Sequence, residues 1–233
     1  MATEASKTAQ GGNEPVIVTP EIGERLRAAR TARGIGVRAL SRLVGVSGST
    51  ISQIELGNVM PSVATLYRLV SVLQISMDEL FAVSPAPPDG AAPVADDAPA
   101  RRRARAGAAH SPVQRSEGRP SIKLASGVRW ERLSNAADPN VEFLWSRYDA
   151  GGESCPADGL IRHGGKEFGY VHSGRLGVTI GFDTYELEPG DSISFDSARP
   201  HRLFALGDEP VDVLWVVVDR HGDERGSTAP AAG

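Results

Sequence analysis

Only one cysteine, Cys155, occurs in the 233 residues. That excludes an intrachain disulfide and any zinc site built from several thiolates, and it leaves a small half-buried core residue as the reading of this thiol. No stretch approaches the roughly 18 consecutive apolar residues that a membrane span requires. The opening MATEASKTAQGGNEP has neither the apolar segment of a secretory signal nor the Arg-rich pattern of a transit peptide. A cytoplasmic protein with no membrane partner is expected. An excess of positive charge is lacking too, since the formal net charge is -4. The deficit is local, however: Lys and Arg against Asp and Glu number 7 to 5 over residues 16–82 but 10 to 16 over 120–220. A DNA surface in the first half is therefore compatible with the overall charge.

Residues 84–119 are rich in Pro, Ala, Gly and charge and hold almost nothing that builds a core, which marks a linker. Helical periodicity precedes it, and short β-rich runs broken by Gly, Pro, Asp and Asn follow. The expectation is an α + β two-domain chain: a tail over 1–17, a helical domain over 18–82, a flexible linker over 83–119, an all-β domain over 120–221 and a tail over 222–233. Arg101–Arg105 in the linker reads either as a solvated charge run or as a set of phosphate contacts.

In the first domain, Thr19-Pro20-Glu21 has the form of a helix start, and Gly34 ends that helix. A second helix is predicted near Val37 to Val44, with Gly45 where a left-handed turn is needed. Ser47 then caps a third from Gly48 to Leu56. A fourth starts at Pro61-Ser62, and Ser76 to Glu79 has the form of a capping box for a fifth. Two helices meeting at a short glycine-containing bend make a helix-turn-helix, whose second helix enters a major groove.

The stretch Ile22–Phe81 resembles the Xre, or Cro and phage-repressor, type of helix-turn-helix domain. It carries the pattern Ser-x-Ile-Glu-x-Gly-x-x-x-Pro-Ser-x-x-Thr-Leu from Ser52 through Leu66. The resemblance implies base reading from Ser47, Gly48, Ser49 and Gln53, with Thr50 and Ser52 beside them and Val37 and Arg38 on the preceding helix. Gln53 is the leading candidate, because an amide pairs bidentately with an adenine edge. Gly48 departs from the family's polar side chain, and Ser41 stands where alanine is usual; a hydroxyl-to-backbone bond would absorb it. Arg30 and Glu55 are implied to tie the first helix to the third.

In the second domain, strand-like runs at 128–133, 141–149, 168–171, 176–182, 184–187, 192–195, 202–206 and 211–219 have no helix between them, so a sandwich or small barrel follows. The stretch from His163 through His201 resembles a cupin, a double-stranded β-helix of the jelly-roll type. By that resemblance the metal-binding positions fall on His163, Glu167 and His201, while Ile161 stands where a further histidine is expected. Two imidazoles and a carboxylate suit a divalent ion such as Fe, Zn, Ni or Mn, and the same groups would hydrogen-bond an organic effector in a metal-free pocket. Ile161 and His163 are expected on one strand face. Phe143, Trp145 and Arg147 share a face of another strand, read either as core aromatics that end in a surface arginine or as an Arg147 that faces inward toward an anionic effector.

Together these features imply a transcriptional regulator and not an enzyme. Its cupin would sense a small molecule or a metal, and a homodimer would bind an inverted-repeat operator on double-stranded DNA. The alternatives are a cupin dioxygenase or isomerase with an accessory DNA-binding domain, and a cupin that acts only as a dimerisation core.

Overall fold

The computed structural model describes residues 16–17, 19–81, 112–136, 138 and 140–220. The helical half contains α1 (Thr19–Ala32), α2 (Val37–Val44), α3 (Gly48–Glu55), α4 (Val63–Leu73) and α5 (Met77–Phe81). Each boundary has a local cause. Gly45 adopts φ 77°, and its N–H closes onto the Ser41 carbonyl, ending α2 in a left-handed cap. Ser47 and Ser62 accept the N–H groups of Thr50 and Thr65 and so start α3 and α4. The Glu79 N–H likewise donates to Ser76 Oγ at the start of α5. One apolar core joins these helices through Ile22, Leu26, Leu40, Ile51, Leu66, Leu69, Leu73 and Phe81, all at most 1% exposed.

The β half comprises β2 (Pro120–Leu124), β3 (Val128–Arg132), β4 (Val141–Tyr148), β5 (Lys166–Ser173), β6 (Arg175–Ile180), β7 (Asp183–Leu187), β8 (Ser192–Asp196), β9 (His201–Leu206) and β10 (Val211–Val218). They form a seven-stranded sheet in the order β1-β2-β3-β4-β10-β5-β8, completed by β1 (Val16–Ile17), and a three-stranded sheet in the order β7-β6-β9. The period-two alternation of β10 shows how the core is built: Val211, Val213, Trp215 and Val217 are buried, and the residues between them are partly exposed. Two glycines permit close packing, since a Cβ at Gly169 would lie 2.0 Å from the Trp215 ring and one at Gly177 2.3 Å from the Phe204 ring.

Two strands were not foreseen. β2 begins at the proline that closes the expected linker, and Val16–Ile17, placed in the expected N-terminal tail, pairs in parallel with it. The two halves also touch. The Ala64 N–H donates to the Ser154 carbonyl at 3.1 Å, and the Ala125 N–H donates to the Pro61 carbonyl at 3.1 Å. The Arg101–Arg105 cluster lies outside the described residues.

Candidate functional site

The residues expected to read bases lie on and before α3. Ser47, Ser49, Gln53 and Arg38 are exposed, while Gly48, Thr50, Ser52 and Val37 are half-buried. Ser47 is committed to capping: its Oγ accepts the Thr50 N–H at 3.0 Å and lies 2.7 Å from Ser49 Oγ. Gln53 has a partner that the sequence did not disclose. Asn58 Nδ2 donates to Gln53 Oε1 at 2.9 Å, which orients the amide and leaves its N–H groups directed elsewhere. At Gly48 a Cβ would meet nothing closer than Val37 Cγ1 at 3.9 Å, so space does not demand the glycine. Ser41 Oγ donates to the Arg38 carbonyl at 3.0 Å, the backbone bond expected of a hydroxyl there.

Behind α3, Arg30 Nε and Nη2 donate to the two Glu55 carboxylate oxygens at 2.6 and 2.9 Å, and Nη1 donates to the Ile35 carbonyl at 2.9 Å. The Glu55 side chain is 7% exposed and that of Arg30 13%. The hydrogen bond to Glu55 is the largest influence on the guanidinium and raises its pKa. This forked pair sets the seat of the helix that carries Gln53.

In the β half, β5 delivers Glu167 and the start of β9 delivers His201, one from each sheet, so the two meet in the core. His163 comes from the segment that leads into β5. No strand spans 161–163, although Ile161 is buried and His163 nearly so while Arg162 between them is exposed. Ile161 instead makes an isolated bridge to His201, each N–H donating to the other's carbonyl at 2.8–2.9 Å. The buried Ile161 side chain presents an apolar wall where a fourth ligand is expected.

The geometry of these three groups is specific. Glu167 Oε1 lies 2.9 Å from His163 Nε2 and 3.1 Å from His201 Nε2. Yet none of these three buried atoms makes a hydrogen bond of acceptable angle. The other ring nitrogens account for this. His163 Nδ1 donates to the Gly164 carbonyl and His201 Nδ1 to the Arg199 carbonyl, each at 2.9 Å. A carbonyl only accepts, so the hydrogen of each neutral ring sits on Nδ1 and the lone pair on Nε2. Two bare nitrogens and a carboxylate oxygen then converge, which is stable only with positive charge among them. Protonation of the imidazoles supplies that charge in one way and a divalent ion in the other, and all potential ligand atoms lie within 4.8 Å of one another.

Trp215 Nε1 donates to the second Glu167 oxygen at 2.7 Å and orients the carboxylate. Burial pushes the Glu167 carboxyl upward, but the two imidazoles beside it outweigh burial and hold the pKa well below the usual carboxylate range. The interior space bordered by Glu167, His201 and Trp215 is about 10 Å³. One ion or water fits such a volume; an organic molecule does not.

Two other expectations resolve differently. Arg147 is on the outer face of β4, where it pairs with Asp212 at 2.7 Å, so it does not join the buried cluster. Strict alternation placed Phe143, Trp145 and Arg147 on one face, but that face is the exposed one. Cys155 is buried, its Sγ donating to the Gly159 carbonyl at 3.2 Å, and burial foremost raises its pKa. A residue from the helical half also reaches the site. Tyr67 of α4 packs on His163 with ring centroids 5.0 Å apart and on Trp130 at 5.4 Å, and the Arg220 guanidinium lies 4.1 Å over it. No signal in the sequence linked Tyr67 to a histidine 96 positions away.

Known proteins agree with this architecture. A helix-turn-helix domain model matches residues 21–82, and a cupin domain model matches residues 144–217. The HTH-type transcriptional regulator PuuR of Escherichia coli K12 is 27% identical over 181 residues, which span 77% of this chain and 84% of that protein. The uncharacterized HTH-type transcriptional regulator YazB of Bacillus subtilis is 39% identical over 67 residues, 29% of this chain and 90% of its own. The crystal structure of an HTH_3 family transcriptional regulator from Vibrio cholerae shares the fold, with a TM-score of 0.56 at 21% identity over 86% of this chain and 96% of that one. No helix among the described residues is long and apolar enough to cross a membrane. The helical N-terminal half and the cupin-like β half, with the buried His, Glu and His group compatible with a metal, place this chain in the family of Xre-type helix-turn-helix transcriptional regulators that carry a cupin domain.

Proposed function

We propose that this chain binds an inverted-repeat operator as a homodimer, with α3 in the major groove, and that its affinity for DNA responds to what the cupin holds. The functional units are a five-helix bundle over 18–82 and a double-stranded β-helix jelly roll over 120–221. Ser49 and Gln53 contact base edges, Ser47, Gly48, Thr50 and Ser52 bring the helix start against the groove, and Val37 and Arg38 face the adjoining backbone. The observation that carries the sensing role is the convergence of His163 Nε2 and His201 Nε2 on Glu167 Oε1, at 2.9 and 3.1 Å, beside a tyrosine that belongs to the DNA-binding half. These three residues would hold a divalent ion such as Fe, Zn, Ni or Mn and leave its remaining positions open. Such an ion supplies fixed positive charge at the place where Tyr67 touches the cupin. A conformational preference of the helical half for the ion-bound state then alters DNA affinity by that differential.

The resemblance to proteins named as transcriptional regulators supports a sensor over an enzyme. Selection from a random duplex library, followed by titration with and without each metal, tests the reading. One inverted-repeat sequence is expected to emerge, with binding that falls steeply with salt and shifts on addition of one metal. No preference for any duplex over random competitor would refute it.

A further inference from the structure

We infer that a second ligand site, for an amphipathic organic anion, lies in the cleft between the two halves. It deepens the sensing role and takes only its output from the reading above. The cleft holds about 470 Å³ between α4 and residues 160–164, within the range of roughly 300–1,000 Å³ that small-molecule sites occupy. The cupin interior of about 10 Å³ cannot take such a ligand. Tyr67 and Ile161 border both spaces, so an occupant of the cleft rests against the wall of the metal-ligand cluster.

The lining dictates the chemistry. Arg68, Arg162 and Arg220 face the cleft, and no Asp or Glu does, although acids outnumber bases 16 to 10 over residues 120–220. Arg220 is neutralised by Glu142, to which its Nη2 donates at 2.6 Å. The other two have no acidic partner among the described residues. Arg68 only donates to the Val44 carbonyl at 3.3 Å, and Arg162 is exposed and has no ion pair among the described residues. A cationic ligand would meet repulsion here, and a neutral one would leave both guanidinium groups to solvent. A carboxylate satisfies them with forked hydrogen bonds. Beside these cations, Leu43 and Leu160 line the same cleft at 62% and 41% exposure, so an apolar body has a surface to cover. The walls come from both halves of the chain. Binding therefore favours the docked arrangement and restricts the DNA-reading helices relative to the cupin.

Phenylacetate is a suitable probe, with phenylacetamide and phenethylamine as neutral and cationic counterparts, each titrated against the full chain by saturation-transfer NMR. Phenylacetate is expected to saturate, with the other two weaker by about tenfold or more. Arg162→Ala, which removes no internal contact, should weaken it by about tenfold without moving the melt. Arg175→Ala with Lys123→Ala, which removes two exposed cations elsewhere, should leave the titration unchanged. Equal binding of the amide or the amine, an unaltered titration in Arg162→Ala, or no saturation by roughly 10 mM would overturn the site. Operator binding, measured separately, distinguishes the failures: loss of the anion site alone leaves the regulator reading intact, and anion binding without operator binding removes only the latter.

Discussion

Glu55→Ala removes the carboxylate that receives two hydrogen bonds from Arg30, at 2.6 and 2.9 Å, inside the helical half. Breaking a buried pair from one side costs about 3–5 kcal/mol, because the remaining charge is left without compensation. Arg30 is 13% exposed and keeps its bond to the Ile35 carbonyl, so the cost falls at or below the lower end of that range, about 2–3 kcal/mol. If the helical half unfolds by itself, a domain of 60–100 residues loses roughly 4–8 °C per kcal/mol, which gives a fall of about 8–24 °C. If it unfolds together with the cupin, to which the Ala64 N–H bonds through Ser154, the larger unit shifts about 2–4 °C per kcal/mol and the fall is about 4–12 °C. Calorimetry resolves the two cases by the number of transitions, and urea titration followed by helical circular dichroism measures the free energy. Arg30→Met combined with Glu55→Met should recover much of the loss, since neither charge is then stranded. A loss below about 0.5 kcal/mol in Glu55→Ala, or no recovery in the double variant, would refute the assignment of this pair as the seat of α3.

Gln53→Ala should weaken the selected operator by about 1–3 kcal/mol and relax specificity at one position, while Arg38→Ala should weaken all duplexes alike and lower the salt slope by about one; competition binding at several salt concentrations checks both. Trp215→Phe removes the N–H that holds Glu167 Oε2 at 2.7 Å while keeping an apolar ring over Gly169. Metal affinity, read from titration of the purified chain, should fall by about tenfold to a hundredfold, and an unchanged affinity would dissociate Trp215 from the cluster.

The helices were legible in the residues because their signals are local: a serine accepts an N–H three positions on, and Gly45 supplies the left-handed turn that ends α2. Most strands were legible for the same reason, through alternation between glycine and proline turns. β1 and β2 were not, because a two-residue pairing and a strand opened by Pro120 carry almost no periodic signal. Alternation also states which residues share a face but not which face is buried, and so it left open whether Arg147 meets an effector, whereas it stands outside beside Asp212.

By itself the sequence determined the two domain types and the candidate reading helix, whose signals are local, and its resemblance to a cupin pointed to His163, Glu167 and His201. Tertiary structure alone decided that two imidazole Nε2 atoms converge on one carboxylate oxygen, that Trp215 orients the carboxylate, and that Tyr67 packs on His163 from the other half. These depend on contacts between positions far apart in the chain, which packing of the two sheets and α4 selects and no local pattern encodes.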